Sequence, residues 1–213
     1  MEQSNYTSFN DWLENSKMPN GKRQVLKSAI KLFSQNGYQS TSTSSIAKDC
    51  GLSEATVFKH FKNKKELLDT IITPIVNTLA PSFSEQFVES VSHHTFKIDE
   101  MIEYIITDRF HFIEENHQMI NIMVSQLLID DELKNQLEEI MLPKLSFIID
   151  KANALMKQDD SVSDDVSAEE LFRTISGQLL VSTVIEFKFP SDSWDTEKQI
   201  QSMIKVCKKV IHK

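Results

Sequence analysis

Apolar side chains recur every three or four residues along most of this 213-residue chain, and that spacing constrains its fold more than any other feature. Such spacing places isoleucine, leucine, phenylalanine and methionine on one face of a helix. A strand exposed on one side gives an alternating pattern instead. Since the sequence has no clear alternating run, the chain is predicted to be all-α.

Glycines mark where the first helices of the chain are predicted to end. The chain has four glycines, and three of them, Gly21, Gly37 and Gly51, fall in its first quarter. A glycine that follows an amphipathic segment is typical of a helix C-terminus. Together with cap residues at Thr41 or Ser42, at Ser53 and at Asn63, the last paired with Glu66 in a capping box, these signals predict the first four helices. The first runs over about 22–36, the second from its cap at 41 or 42 to the stop at Gly51, the third over 54–61 and the fourth over 64–80.

The rest of the chain divides less clearly. We expect a less regular connector over 81–96 and an acidic loop over 158–167. Pro74 is expected to bend the fourth helix, Pro143 to break or kink a later one, and Pro190 to mark a turn. Further helices are predicted over 98–116, 117–129, 131–157, 168–187 and 196–211. Residues 1–20 form either a flexible tail or a short helix with one apolar face, made by Tyr6, Phe9, Trp12 and Leu13.

Charge is distributed unevenly. The net charge is −8, but residues 20–66 carry +6 and the remainder therefore carries −14. This asymmetry favours a phosphate-binding module attached to an acidic body. The alternative is a chance fluctuation over a short window, because charge alone does not identify a nucleic-acid-binding protein.

Two short helices joined at Gly51 within this basic segment fit a helix-turn-helix. Ile46, Ala47, Leu52, Val57 and Phe61 are spaced to pack together between them. The second helix is then left with an outward face suited to the major groove. That face comprises Glu54, Ala55, Thr56, Lys59 and His60.

Lysines at the start of the next helix support the same interpretation. Lys64 and Lys65 lie in its first turn, where the helix macrodipole disfavours cations. A phosphate docked there would reverse that effect and also use the free backbone N–H groups. The alternative is that both are ordinary surface lysines.

Residues 41–68, TSTSSIAKDCGLSEATVFKHFKNKKELL, closely resemble the DNA-binding domain of TetR-family repressors. Ala29, Phe33, Gly37 and Tyr38 also match the first helix of that domain and its end. The resemblance implies phosphate or base contacts from Thr43, Ser44, Ser45, Thr56, Phe58, Lys59, His60 and Lys64. With the helix cap Ser53 and the neighbouring Glu54 and Ala55, these residues form the predicted DNA-binding set.

Two positions depart from the pattern of the family. Phe58 stands where the family often has tyrosine, so a phenolic hydroxyl that would reach a phosphate is missing. Cys50 replaces a frequent alanine, and we interpret it as a packing residue rather than a redox sensor.

The resemblance also implies three regions: an N-terminal extension (1–20), the helix-turn-helix domain (21–68) and a ligand-binding and dimerisation domain (69–213). The last two helices would pair with those of a second copy. Gly177 is expected to allow a close approach of helices. The predicted dimer interface comprises Leu171, Phe172, Ile175, Gly177, Leu179, Ile200, Met203 and Ile204. The alternative is that these apolar faces fill only the core of one chain.

The stretch from Met101 to Met123, rich in methionine, isoleucine and phenylalanine, is a candidate lining for an effector. An apolar or lipophilic cationic compound would suit it. The predicted ligand contacts are Tyr104, Ile105, Asp108, His111, Phe112, Met123, Gln126, Phe147 and Gln178. The alternative is that each of these residues belongs to ordinary core or surface.

The function expected from these features is a ligand-responsive repressor that binds a near-palindromic DNA operator as a homodimer and is released by a small molecule. A regulator controlled by a protein partner, or an activator, stays open as an alternative. A helical metal-dependent enzyme is a remote one, suggested by the spacing of Asp108 with His111 and of Glu114 with His117. Di-iron sites need such pairs on two helices and additional glutamates. We therefore expect no enzyme, catalytic residue, cofactor or metal.

The sequence also has no long apolar run and no secretory start, and it has only two cysteines, Cys50 and Cys207. These features favour a cytoplasmic protein without a membrane span or a disulfide framework.

Overall fold

Helices account for nearly all the regular secondary structure of the computed structural model, which describes residues 8–189, 191 and 194–213. An isolated antiparallel bridge joins Val162 to His212. The all-α prediction is confirmed for these residues, whereas Tyr6 and Pro190 lie outside them. The helices are α1 (Phe9–Asn15), α2 (Asn20–Asn36), α3 (Thr43–Asp49), α4 (Glu54–His60), α5 (Lys64–Pro74), α6 (Ala80–His93), α7 (Ile98–Glu115), α8 (His117–Leu127), α9 (Asp131–Met156), α10 (Ala168–Lys188) and α11 (Thr196–Ile211).

The described residues divide into two compact units. The first contains the residues up to Ser84 together with Asn116–Met141, and the second contains Glu85–Glu115 and Leu142–Lys213. The helix-turn-helix segment thus shares a unit with α8, which the predicted boundary after residue 68 assigns to the other domain. The boundary after residue 68 therefore stays a prediction of where the DNA-binding domain ends and the ligand-binding domain begins.

In the first unit, α2 is the central packing element. It contacts α3, α4, α5 and α8. Its apolar side is buried, with Val25, Leu26 and Ala29 fully inaccessible to solvent. Burial of an aliphatic side chain contributes about 1.5–3 kcal/mol, so packing rather than helix propensity holds α2 in place.

The N-terminal extension also belongs to this unit. Phe9 and Leu13 of α1 are each only 2% exposed. The backbone N–H of Phe9 donates to Oδ1 of the buried Asn116 over 2.9 Å. The interpretation of residues 9–15 as a short helix with one apolar face is therefore confirmed, and these residues are not a flexible tail.

The chain continues as helix after α5, contrary to one expectation. A π-helical turn, Ile75–Leu79, follows Pro74 and leads directly into α6. The prediction of an irregular connector over 81–96 is wrong for most of its length, because α6 extends to His93. Pro81 lies beside the π-helical turn, where the regular hydrogen-bond pattern is already interrupted. Similarly, Pro143 does not break α9, which continues through it to Met156.

In the second unit, α7, α10 and α11 pack against one another. Their shared core includes Ile102, Ile106 and Cys207, each at most 1% exposed. The end of the chain is fixed to the loop after α9, since Ser163 N–H donates to the Ile211 carbonyl over 2.7 Å. No helix in the described part of the chain is both long enough and apolar enough to cross a lipid bilayer.

Candidate DNA interface

The first helix of the helix-turn-helix, α3, begins at a complete capping box. The Ser42 hydroxyl accepts a hydrogen bond from the Ser45 backbone N–H, and the Ser45 hydroxyl accepts one from Ser42 N–H. Thr43 donates its hydroxyl to Glu54 Oε1 over 2.7 Å. The start of α3 is therefore tied to the start of α4, and the side chain of Ser44 is exposed beside them.

The turn between these helices depends on Gly51. Its φ of +69° lies in the left-handed region, which glycine enters without the steric cost that a Cβ would bring. Leu52 N–H then donates to the Ala47 carbonyl over 3.0 Å. The half-buried Cys50 donates its thiol to that same carbonyl over 3.4 Å, which fits a packing residue.

The second helix, α4, presents a polar face with one aromatic ring. Ser53 caps it by accepting from Thr56 N–H, and the two hydroxyls lie 2.8 Å apart. Val57 and the following Phe61 are buried. On the opposite side Phe58 is 47% exposed. The other exposed side chains of this face are Glu54, Ala55 and Lys59.

His60 has a different environment from the rest of the predicted set. It is half-buried, and its imidazole lies against the first turn of α2 at Gly21. The next residue, Phe61, has the Lys22 ammonium 5.1 Å from its ring centroid. The end of α4 therefore rests on α2, a contact that the sequence pattern alone did not reveal.

Lys64 requires a correction. Its ammonium donates to the carbonyls of Tyr38 and Thr41 over 3.0 and 3.1 Å, and more weakly to that of Gln39. It also lies 4.3 Å from the centroid of the Tyr38 ring. Because an ammonium has three N–H donors, Lys64 is used to fasten the turn after α2 to the start of α5. It is not a free cation facing solvent.

The other residues at the start of α5 also differ in detail from the prediction. Lys65 forms an ion pair with Asp69, one turn further along α5, at 3.1 Å. Asn63 caps α5 as predicted, by accepting from Glu66 N–H. The Glu66 carboxylate, however, accepts from the Lys62 N–H and so closes the capping box one residue earlier. Lys48, in the last turn of α3, and Lys62, just after α4, are exposed. The sequence analysis counted their charge but did not include them in the site.

The predicted ligand contacts do not lie in one unit. Met123 and Gln126 belong to the first unit, and both are buried. The other members belong to the second unit, where Tyr104 is half-buried and the His111 ring lies exposed, 3.4 Å from Glu114. The grouping of these residues into one ligand site stays a prediction.

Within the second unit, Asp108 pairs with Arg109 over 2.5 Å. The Arg109 guanidinium lies 3.9 Å from the ring centroid of Phe87 and 4.6 Å from that of Phe112. The sequence analysis did not single out this arginine. Asp108 and Phe112 therefore both have Arg109 as a partner within the chain. The remaining predicted contacts, Ile105, Phe147 and Gln178, are partly or largely exposed.

The predicted dimer interface requires the largest correction. Six of its members are buried within the single chain, with exposed fractions between 1% and 7%. They pack the core of the second unit and present no surface to a partner. These six residues are Leu171, Ile175, Leu179, Ile200, Met203 and Ile204.

Gly177 and Phe172 differ from those six. Gly177 is exposed, and a Cβ placed there would meet no atom within 4 Å, so it allows no close approach inside one chain. Phe172 is half-buried. A second apolar face of α10 and α11, which is not part of the predicted interface, is exposed instead. It comprises Leu180, Val181, Val184 and Ile185 of α10 and Val206 and Val210 of α11.

The remaining candidates for a reactive or metal-binding group are the Cys207 thiol and two carboxylate–histidine pairs. Burial raises the pKa of the Cys207 thiol to about 11, which keeps it protonated and poorly reactive. Among the described residues, no group of three or more histidine, cysteine, aspartate or glutamate side chains is placed to hold a metal ion. The pairs Asp108–His111 and Glu114–His117 therefore form no such cluster.

Two short helices, a glycine turn and the exposed polar face of α4 together define a helix-turn-helix protein. Residues 25–71 match the family described as bacterial regulatory proteins, tetR family. Over this region the chain is similar to the DNA-binding part of that family.

Relatives and solved structures show further similarities. The fatty acid metabolism regulator protein of Bacillus subtilis (strain 168) is 24% identical over 121 residues, which are 55% of this chain and 59% of that protein. The chain thus matches less than two thirds of that relative. The structure of FadR from Bacillus subtilis in complex with stearoyl-CoA covers 89% of this chain and 98% of its own, with 20% identity and a TM-score of 0.56.

Another similar structure was solved with operator DNA. The structure of AibR in complex with isovaleryl coenzyme A and operator DNA covers 87% of this chain and 97% of its own. Its sequence is 18% identical, and the TM-score is 0.62. At this level of identity the two structural matches show a shared fold.

Proposed function

We propose that this chain is a transcription regulator that binds double-stranded DNA as a homodimer and changes its DNA affinity when a small molecule binds. The observation that carries the proposal is the solvent-exposed polar face of α4, held on α3 by the turn at Gly51. A face of this kind on a short helix suits entry into the major groove. The expected mode is repression at a near-palindromic operator.

The DNA contacts divide into two classes. Thr56, Phe58 and Lys59 on α4 are suited to base edges, with Ser53, Glu54 and Ala55 beside them and His60 at the end of the same helix. Thr43, Ser44 and Ser45 at the start of α3 are suited to phosphates, because hydroxyls and helix N-termini donate to them. Exposed Lys48 and Lys62 replace Lys64 in our assignment of phosphate contacts, since the Lys64 ammonium is already bound to carbonyls.

The proposed dimer forms through the second apolar face of α10 and α11. Val181 and Leu180 are 57% and 54% exposed, which is unusual for large apolar side chains on a helix. Gly177 lies one turn before them with open space around it, so a second copy of α10 would approach closely there. A two-fold dimer matches the symmetry of a near-palindromic operator.

For the effector we infer a molecule with a long apolar part. The apolar residues of α7 support this, as do the ligands named for the structural matches, stearoyl-CoA and isovaleryl coenzyme A. An acyl thioester is our first choice, and a lipophilic cation, which the sequence also favours, is the alternative. Graded acyl-CoAs and lipophilic cations are the probes that separate the two, by the change in unfolding temperature and by release of bound DNA.

The central experiment measures DNA binding by fluorescence anisotropy, with a duplex recovered by the wild-type protein from a random-sequence pool. Lys62→Ala should weaken binding to all duplexes alike and reduce the salt slope by about one. Lys59→Ala or Thr56→Ala should change which sequences are recovered. If the purified dimer binds no duplex at low salt, the proposed function is wrong.

A further inference from the structure

The first turn of α2 lies against the end of the recognition helix α4 at Gly21, a residue that has no side chain. A Cβ at Gly21 would lie 2.9 Å from Nε2 of His60, and 3.7 Å from Cε1 of the same ring. The first of these distances is shorter than normal contact. The His60 imidazole therefore occupies the space that any larger residue at position 21 would need.

The backbone gives no separate reason for glycine at this position. The described glycines with positive φ are Gly37 and Gly51, whereas Gly21 lies in the first turn of α2. Alanine would favour the helical conformation there. The contact with His60 is thus the feature of the structure that explains this glycine.

The turn itself is fixed on both sides of the contact. The Lys22 ammonium lies over the ring of Phe61, the residue that follows His60. One residue further along α2, the Arg23 guanidinium donates to the Ser16 carbonyl over 2.7 Å, which ties the turn to the segment after α1. A side chain added at position 21 would therefore displace the flexible His60 ring rather than the backbone.

We propose that Gly21 is a positioning residue for DNA recognition: its lack of a side chain lets the His60 imidazole lie at the end of α4 in the position from which it contacts DNA. The proposal rests on the proposed function, since it assumes that α4 binds DNA. It makes the start of α2, outside the helix-turn-helix itself, part of what determines affinity.

The test is a double-mutant cycle with Gly21→Ala, His60→Ala and the double variant. Gln24→Ala is the matched control, because Gln24 is an exposed residue of α2 one turn further along. Affinity is measured for the duplex that the wild-type protein recovers from a random-sequence pool, and the unfolding temperature is measured in parallel. The wild-type protein and the control establish the reference values.

Gly21→Ala should weaken binding by about fivefold or more, as for the loss of one well-made DNA contact. It should cause no further loss in the His60→Ala protein, because the displaced ring is already absent. The unfolding temperature of Gly21→Ala should not fall, whereas a residue needed only for folding would lower it.

Unchanged affinity of Gly21→Ala, an equal loss in both backgrounds, or a lower unfolding temperature would each overturn the assignment of Gly21. In all three cases the wild-type protein still binds its duplex, so the proposed function stands. If the wild-type protein binds no duplex, the proposed function fails first and this inference fails with it.

Discussion

The helix-turn-helix segment and the last two helices differ in how much of their structure is fixed locally. In α3 and α4, cap residues and one glycine determine where each helix begins and ends, and Ser42 and Ser53 both make the predicted hydrogen bonds. In α10 and α11 the helices were also predicted, but the face they expose was not. The difference shows that local signals define helix ends, whereas the partners of a helix define its buried side.

The reason lies in the apolar pattern of α10. Leu171, Ile175 and Leu179 form one stripe, and Leu180 and Val184 belong to a second stripe on another side. The first is buried in the chain, and the second is exposed. A helix that is apolar on two sides needs a buried environment for each side. Periodicity identifies such a helix but cannot assign either stripe to the core or to a partner.

The largest expected effect tests this assignment directly with two matched truncations. Leu171→Ala should lower the free energy of unfolding by about 2–5 kcal/mol, because it leaves a cavity in the core of the second unit. Val181→Ala should change the stability of the single chain little, but should weaken association between copies. Urea denaturation at several protein concentrations, together with sedimentation, separates the two effects.

Phe172→Ala, which truncates a half-buried residue, should give an intermediate loss of stability. The comparison fails if Val181→Ala leaves the dimer unchanged while Leu171→Ala dissociates it without loss of stability. The original interpretation of the buried stripe as the dimer interface would then have to be restored.

The sequence was sufficient for most of the fold and for part of the site. Caps, glycines and periodicity predicted all but one of the long helices. The exception was α6, whose residues were predicted to form a less regular connector over 81–96, whereas the chain continues from the π-helical turn directly into α6. The outward face of α4 was also predicted, since Val57 and Phe61 belong to a short-range packing pattern.

Contacts between distant residues could not be predicted in this way. Lys64 bonds to carbonyls 23 to 26 residues earlier in the chain. The Asn116 side chain binds α1 across 107 residues. The pattern around Lys64 indicated a cation at a helix N-terminus, and a phosphate was the simplest partner. The structure supplies main-chain carbonyls instead, which no local rule specifies.

Lys64 and Lys62 should differ in how much they contribute to stability. Lys64→Ala should lower the free energy of unfolding by about 1.5–3 kcal/mol, the usual contribution of hydrogen bonds to a charged group. Exposed Lys62→Ala should leave stability unchanged within about 0.5 kcal/mol. Thermal and urea unfolding provide the measurement.

A Lys64→Met variant controls for the lost alkyl packing against the Tyr38 ring, because it keeps the chain length and removes the charge. It should be nearly as destabilised as Lys64→Ala. If both Lys64 variants are as stable as the wild-type protein but lose salt-dependent DNA affinity, then Lys64 is a phosphate contact after all.

The smallest expected effect lies at the C-terminus, in the second unit. His212 Nε2 lies 2.8 Å from Asp99 Oδ1, and its Nδ1 lies 3.0 Å from the Ser161 hydroxyl. The hydrogen bond to Asp99 raises the pKa of His212 above its ordinary value of about 6.5, with smaller contributions from the charges of Asp99 and Asp159. Lys208, which pairs with Asp99 and Glu103, also faces this group. The interaction therefore favours the protonated imidazole in the folded chain.

A raised pKa stabilises the fold fully below the ordinary pKa of histidine, and this contribution disappears as the pH rises through the higher folded value. His212→Gln should consequently lower the unfolding temperature more near pH 5.5 than near pH 8.5, by a small amount because the group is partly solvated. Asp99→Asn should reduce the same pH dependence, since the imidazole then has no carboxylate partner. An equal difference between wild-type and His212→Gln proteins at both pH values would mean that the side chain contributes by packing and neutral hydrogen bonds alone. In that case the attachment of the C-terminus would depend, like the core of this unit, on burial rather than on local charge.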